Sequence, residues 1–194
     1  MREKPTISVI IPCYNVSKWI DRCLESIVSQ TIGLECMEII CVDDCSEDDT
    51  FQHLQSWEKR YPDHFIVIQS PENRRIGGAR NIALSYASGD WVAYVDSDDW
   101  VERDYLEILM EPATEGTYDV ICCSNMRDSN RSLVYFSEDV RKGEGEAQEV
   151  IISSVSERKK LIHSQAMTLL AWSKLIRKDF LMEHEIIFPE NLAY

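Results

Sequence analysis

Carboxylates that directly follow short apolar runs are the residues of this sequence best suited to chemistry. They are Asp43 and Asp44 after one run, and Asp96, Asp98 and Asp99 after another. Carboxylates brought together from separate loops repel one another unless a cation or a hydrogen-bond donor lies between them. Oxygen ligands of this kind suit Mg²⁺ or Mn²⁺, which keep several waters and also hold phosphate oxygens. The pattern therefore favours a site made of one or two aspartates, a divalent ion and a diphosphate.

Aspartate-rich turns also cap helices, and this alternative suits part of the acidic sequence. Asp48 and Asp49 stand just before a helix-like segment, where side-chain oxygens accept hydrogen bonds from free backbone amides. Asp43 and Asp96 directly end apolar runs, where capping is a weaker explanation.

Five short runs of apolar, largely β-branched residues must position these carboxylates. They are Ile7–Ile11, Met37–Val42, Phe65–Gln69, Trp91–Val95 and Asp119–Ser124. The runs begin 26 to 30 residues apart, about the length that a strand and a helix need together. The helix candidates between them are Lys18–Gln30, Thr50–Arg60, Gly78–Ala87 and Glu102–Met110. The sequence therefore predicts an α/β fold with a mostly parallel sheet, in which ligands bind beyond the carboxyl ends of the strands.

The alternation of strands and helices weakens after Asn125. Ser129–Ser132 predicts a hairpin turn, and Ala166–Lys174 and Lys178–His184 are helix candidates. No motif in this second part of the sequence identifies a ligand.

Composition limits the partners that the chain can have. It contains 34 acidic and 20 basic residues, for a net charge of -14. Such a charge opposes non-specific binding to nucleic acid and electrostatic docking on an anionic membrane. No apolar run approaches the roughly 18 residues of a membrane span, so no membrane segment is predicted. The seven cysteines are odd in number and include no Cys-x-x-Cys, which predicts reduced thiols in a cytoplasmic protein.

Four motifs, in order across residues 6–125, resemble those of the family 2 glycosyltransferases. They are Ile7–Asn15 (ISVIIPCYN), Cys41–Ser46 (CVDDCS), Gly77–Asn81 (GGARN) and Tyr94–Trp100 (YVDSDDW). A later stretch, Ala171–Lys178 followed by Ile187–Glu190, resembles the polysaccharide-building members.

The resemblance implies a GT-A fold, which is a Rossmann-like three-layer α/β/α arrangement. It implies a transferase with a nucleotide-sugar donor, for which a UDP-sugar is expected, with Mn²⁺ or Mg²⁺ and with inversion at the anomeric carbon. The acceptor would be a glycan or a lipid-linked molecule, which would bring a cytoplasmic enzyme to the inner face of the membrane. Residues 1–125 would form the nucleotide-sugar-binding core, and residues 126–194 the acceptor-side portion of the same domain.

The resemblance assigns the first two loops to the nucleotide. Pro12 would shape the loop beneath the base, Tyr14 would stack on the base, and Asn15 would belong to the same binding loop. Asp44 would accept hydrogen bonds from the base or the ribose, whereas Asp43 would be structural. As an alternative, Tyr14 is an ordinary aromatic residue of a loop.

The third and fourth motifs would contact the rest of the donor. Arg80 would lie near the diphosphate, although a mere position on a helix face is an alternative. Asp96 would contact the ribose and Asp98 the metal ion, with Asp99 an equal candidate as metal ligand. The catalytic base of the family is an aspartate a few residues beyond a Phe-Pro-Glu-like stretch. We therefore expect the base after Tyr194, in a chain that would be truncated at its C-terminus.

Two other functions stay open. A phosphohydrolase of the haloacid-dehalogenase kind also uses Asp-x-Asp, but there the motif follows the first strand and needs Thr or Val where this chain has Trp100. A nucleotide-sugar-binding module without turnover is the second alternative, because the expected base lies beyond the sequence.

Overall fold

A six-stranded sheet forms the centre of the protein in the computed structural model, which describes residues 4–116, 118–123, 126–129, 132–135, 151–164 and 170–190. The strands are β1 (Ile7–Cys13), β2 (Met37–Asp43), β3 (Phe65–Gln69), β4 (Trp91–Tyr94), β5 (Val120–Cys122), β6 (Met126–Ser129), β7 (Ser132–Tyr135) and β8 (Lys174–Arg177). The helices are α1 (Ile20–Val28), α2 (Thr50–Arg60), α3 (Arg75–Tyr86), α4 (Tyr105–Glu115), α5 (Val155–Ser164) and α6 (Lys178–Glu183), with a 3₁₀ turn at Leu34–Cys36.

The order of strands in the large sheet is β3-β2-β1-β4-β8-β5. The first four strands of the chain pair in parallel, and β8 is antiparallel to both of its neighbours. The predicted α/β class with a mostly parallel sheet is confirmed, and all five predicted strands are present. The predicted hairpin is also present, as β6 and β7 pair antiparallel up to Ser129 and Ser132.

β8 is a strand that the sequence does not predict. The helix prediction for Ala166–Lys174 is wrong over residues 170–174, and residues 165–169 lie outside the described part of the chain. Ser173 has a φ of 60°, which a right-handed helix does not accommodate, and Lys174 then begins the strand. The helix predicted to start at Lys178 is confirmed as α6.

Apolar residues cover both faces of the sheet. On one face, Ile7, Val9 and Ile11 of β1 pack in a core with residues of α1, α2 and α4. On the other face, Ile10 packs with Ala79 and with other residues of α3 and α6. Full burial of one such aliphatic side chain stabilises the fold by about 1.5–3 kcal/mol. Because a shift of one residue would move every side chain of a strand to the other face, the two cores also fix the register of the strands. Strands covered on both sides explain the continuous apolar runs of the sequence.

The amino edge of the sheet contains a buried carboxylate. Glu38 of β2 accepts hydrogen bonds from the Ser8 hydroxyl at 2.6 Å and from the Ser88 amide at 2.6 Å. The Gly89 amide donates to the same carboxylate at 3.2 Å and to Ser8 Oγ at 2.9 Å. These donors satisfy the carboxylate and join β1, β2 and the turn that precedes β4.

The carboxyl ends of β1, β2 and β4 lie at the opposite edge, because the three strands are parallel neighbours. The polar loops that follow them therefore lie side by side. In the described part of the chain, no helix combines the length and the apolar character needed to cross a membrane.

Candidate functional site

A cleft of about 230 Å³ opens at the carboxyl edge of the sheet. Its lining comes from the loops after β1, β2 and β4 and from the start of α3. Four predicted site residues lie in this lining: Pro12, Tyr14, Asp44 and Asp98. The topology of the sheet therefore brings together groups that are far apart in the sequence.

Asn15 holds the loop after β1 to the loop after β2. Its backbone has a φ of 53°, a left-handed conformation that asparagine tolerates. Its backbone amide donates to Ser46 Oγ at 3.0 Å, and its side-chain Oδ1 accepts from the backbone amide of Glu47 at 2.8 Å. Tyr14, held by this loop, is 44% exposed at the cleft, where its ring is open to stacking by a planar ligand. Asn15 thus positions the loop, and a direct contact between Asn15 and a ligand stays a prediction.

Asp44 is a buried carboxylate that connects the end of β2 to the start of α3. Its amide donates to the Cys13 carbonyl at 2.8 Å, and its Oδ1 accepts from the Arg74 amide at 2.8 Å. Burial raises the pKa of Asp44, and the backbone amides of Arg74 and Arg75 oppose part of that rise. A buried carboxylate in a cleft favours ligands that offer hydroxyl or N–H donors.

Arg80 and Asp96 form an ion pair beside the cleft. Arg80 Nη2 lies 2.6 Å from Asp96 Oδ1, with the Arg80 side chain 9% exposed and that of Asp96 23% exposed. Arg80 is therefore buried on α3, and its role toward a ligand stays a prediction. Burial raises the pKa of Asp96, the Arg80 guanidinium opposes that rise, and the neighbouring Asp98 adds to it.

Asp98 and Asp99 are exposed at the same turn, where the Asp99 amide donates to the Asp96 carbonyl at 3.0 Å. Burial raises the pKa of Asp99, and the charges of Asp98 and Asp96 raise it further. Within the described residues, no group of three or more metal-ligating side chains is assembled. Two accessible carboxylates that repel each other fit a partly hydrated Mg²⁺ or Mn²⁺, whose remaining ligands are waters and phosphate oxygens.

The sequence analysis did not identify Arg75 as a site residue. Arg75 lines the cleft beside Asn73, and its backbone has a φ of 66°, a strained conformation for a residue with a long side chain. The Asn73 side chain accepts from the Arg75 amide at 3.1 Å and so fixes the turn that begins α3. The available signal was the pair of basic residues just before Gly77 and Gly78, at the start of a helix, where anions are favoured.

Solved structures of TarS share this fold. Residues 1–349 of TarS from S. aureus in complex with UDP superpose with a TM-score of 0.74 and 30% identity, over 96% of this chain and 51% of that one. The complex of the same protein with UDP-GlcNAc gives a TM-score of 0.74 and 30% identity, over 96% and 49%. The likeness confirms the predicted GT-A fold.

Curated relatives match along nearly the whole chain. A putative glycosyltransferase, EpsH of Bacillus subtilis strain 168, is 31% identical over 96% of this chain and 51% of its own length. The poly(ribitol-phosphate) beta-N-acetylglucosaminyltransferase TarS of Staphylococcus aureus strain MW2 is 31% identical over 95% of this chain and 30% of its own length. The chain thus spans about half the length, or less, of these relatives.

The sequence model described as "Glycosyl transferase family 2" matches residues 8–184. This range includes the loops that form the cleft and the strand β8 that the sequence did not predict. The match also removes the haloacid-dehalogenase alternative. The chain belongs to glycosyl transferase family 2.

Proposed function

We propose that the chain binds the donor of a glycosyltransferase that moves a sugar, with inversion, from a nucleoside diphosphate to a glycan or a lipid-linked acceptor. The observation that carries this proposal is the cleft in which an accessible aromatic ring, Tyr14, lies with two carboxylates, Asp44 and Asp98, from separate loops. The UDP and UDP-GlcNAc complexes of the similar TarS structures support a UDP-sugar as the donor. The names of the relatives support a polymeric acceptor.

Each group of the cleft has a separate task in donor binding. Pro12 shapes the loop that carries Tyr14, whose ring stacks on the base, and Asp44 accepts hydrogen bonds from the base or ribose. Asp96 accepts from the ribose while Arg80 balances its charge, and the guanidinium offsets part of the diphosphate charge. We assign the carboxylate that deprotonates the acceptor to a later part of the whole protein.

Asp98 and Asp99 would hold Mn²⁺ or Mg²⁺ through their exposed oxygens. Bound there, the ion supplies Lewis-acid stabilisation of the leaving diphosphate. The net charge of -14 makes such a cation useful, because the donor is itself an anion.

We further propose that the reaction takes place in the cytoplasm, at the inner face of the membrane when the acceptor is lipid-linked. The seven cysteine thiols, two of them exposed, suit a reducing compartment.

A thermal-shift panel tests the proposal. We expect UDP, or failing that GDP, to raise the melting temperature in the presence of Mn²⁺, because a ligand that binds only the folded state stabilises it. A shift of a few degrees corresponds to about 1 kcal/mol for a domain of this size. If neither nucleotide raises the melting temperature with Mn²⁺ present, the assignment of the cleft to a nucleotide donor is wrong. Binding without sugar transfer in the whole protein would favour a module without turnover.

A further inference from the structure

Asn81 of α3 holds the backbone of a distant residue, Phe188, through both ends of its carboxamide. Asn81 Oδ1 accepts from the Phe188 amide at 2.9 Å, and Asn81 Nδ2 donates to the Phe188 carbonyl at 2.9 Å. Asn81 Nδ2 also lies 3.2 Å from Glu190 Oε1. One side chain thus satisfies both backbone groups of a residue in an otherwise irregular segment, which fixes the segment against α3.

Gly77 lies one turn earlier on α3, and because it has no side chain the backbone around Phe188 and Pro189 can pack directly against the helix. A Cβ at this position would collide with the carbonyl oxygen of Pro189 and lie 3.4 Å from Phe188 Cβ. The close approach of backbone to helix is therefore built from two independent features, the carboxamide of Asn81 and the missing side chain of Gly77.

The ring of Phe188 connects this contact to the ion pair beside the cleft. The ring packs edge-on against Tyr94, with centroids 5.2 Å apart, and lies 5.1 Å from the guanidinium carbon of Arg80. The same carbon lies 5.9 Å from the Tyr94 ring, so two aromatic faces surround the cation. Arg80 Nε has no hydrogen-bond partner among the described residues, and the guanidinium reaches Asp96 through Nη2. Its orientation therefore depends on the rings that pack around it.

We infer that Asn81 is a positioning residue for nucleotide binding: it holds Phe188 against Arg80 and so orients the guanidinium that pairs with Asp96. Asn81 does not belong to the lining of the cleft, and it acts through contacts that run from its carboxamide to Phe188, to Arg80 and to Asp96. The inference rests on the proposed function, since it assigns the consequence of this chain of contacts to the affinity for a nucleoside diphosphate.

Isothermal titration of UDP in the presence of Mn²⁺ tests the inference on Asn81→Ala. We expect about tenfold weaker affinity at a temperature where circular dichroism shows the variant to be folded. A purely structural role would lower the melting temperature of the free protein and leave the affinity of the folded protein unchanged. Ser85→Ala is the matched control, because Ser85 is exposed on the same helix and its hydroxyl donates to the Ile82 carbonyl of that helix.

Gly77→Ala provides a second variant that keeps the Asn81 side chain. Alanine favours helix more than glycine does, so a loss of UDP affinity in this variant reports displacement of the segment and not of the helix. It also keeps the test decisive if Asn81→Ala fails to fold.

A double-mutant cycle separates a connected path from two independent effects. If Asn81 acts through Phe188, the losses of affinity in Asn81→Ala and Phe188→Leu should not add in the double variant. Additive losses, or unchanged affinity in both Asn81→Ala and Gly77→Ala, would overturn the inference. A parent chain that binds neither UDP nor GDP would instead overturn the proposed function, and the inference with it.

Discussion

At the scale of single residues, the three aspartates after β4 differ in their partners. Asp96 is mostly buried and paired with Arg80, whereas Asp98 and Asp99 are exposed and repel each other. A divalent cation gains most at Asp98 and Asp99, which form no ion pair among the described residues, since Asp96 already pairs with Arg80. We therefore expect the effect of a metal ion on ligand binding to depend on Asp98 and Asp99. Asp96 should instead matter for the structure around Arg80.

Asp98→Asn should abolish the Mn²⁺-dependent part of the melting-temperature shift produced by UDP. The amide keeps the shape of the side chain but loses the negative charge that a hard cation needs. The shift is measured with and without Mn²⁺ in the parent and in the variant. Asp104→Asn is the control, because Asp104 is exposed just before α4 and makes no capping hydrogen bond through its side chain. An unchanged Mn²⁺ effect in Asp98→Asn would contradict the metal assignment.

The sequence predicts those site residues that the strands position, but not those that a turn or a neighbouring loop positions. Tyr14 and Asp44 directly follow buried strands and Asp98 lies in the loop after β4, so the strand pattern and the parallel topology were enough to bring them to one cleft. Arg75 reaches the same cleft through a positive φ in a short turn, which periodicity does not encode. The loop-holding bonds of Asn15 depend likewise on the fold of the neighbouring loop.

At the scale of elements, β8 is a strand that the pattern of apolar residues in the sequence does not predict. The strands β1 to β4 recur with helices between them, and their apolar runs predicted them correctly. β8 is four residues long, and of these only Leu175 and Ile176 are apolar. It is a strand because β4 and β5 leave a place between them that an antiparallel segment fills. Such tertiary context outweighs local propensity in short segments.

The carboxylate of Glu38 is expected to contribute to stability and not to donor binding. Glu38→Ala would remove the acceptor used by the Ser8 hydroxyl and the Ser88 amide at the amino edge of the sheet, while the Gly89 amide would keep Ser8 Oγ as a partner. We expect a loss of about 2–4 kcal/mol in the free energy of unfolding, measured by urea denaturation, because unsatisfied buried donors are costly.

Two comparisons complete this experiment. Glu25→Ala removes an exposed carboxylate from α1 and should change the free energy of unfolding by no more than about 0.5 kcal/mol. The UDP affinity of folded Glu38→Ala should match that of the parent, because Glu38 lies at the edge opposite the cleft. A large loss of affinity there would show that the two edges are coupled.

At the scale of the whole molecule, the site adds to a charge that is already strongly negative. Asp44, Asp96 and Asp99 all have raised pKa values, with burial the main cause in each. A carboxyl group whose pKa is higher in the folded than in the unfolded state destabilises the fold as it ionises. These three groups should therefore lower the stability of the ligand-free protein as the pH rises from 3.8 through their raised pKa values, and a bound cation should restore part of the loss.

Asp99→Asn should accordingly stabilise the ligand-free protein at neutral pH. The gain should be absent well below pH 3.8, where the parent carboxyl is protonated in both states, should grow as the pH rises from 3.8 to the raised pKa, and should be constant above it. Melting temperatures across pH 3 to 8, an interval chosen to span the ordinary carboxyl range, would show it. A difference that stays flat with pH would mean that neither burial nor the neighbouring carboxylates raise the pKa of Asp99.

The place of β8 in the sheet also governs how the chain matures during synthesis. β1 to β4 are complete once Tyr94 has left the ribosome, and they can pair and bury their apolar residues at that stage. The outer edge of β4 then stays open until Arg177 emerges, and β5 waits for the same segment before it gains its neighbour in the sheet. An open strand edge invites pairing with another chain. The nascent protein therefore passes through a stage, roughly between these two residues, in which it is most exposed to misassembly and has most to gain from a chaperone.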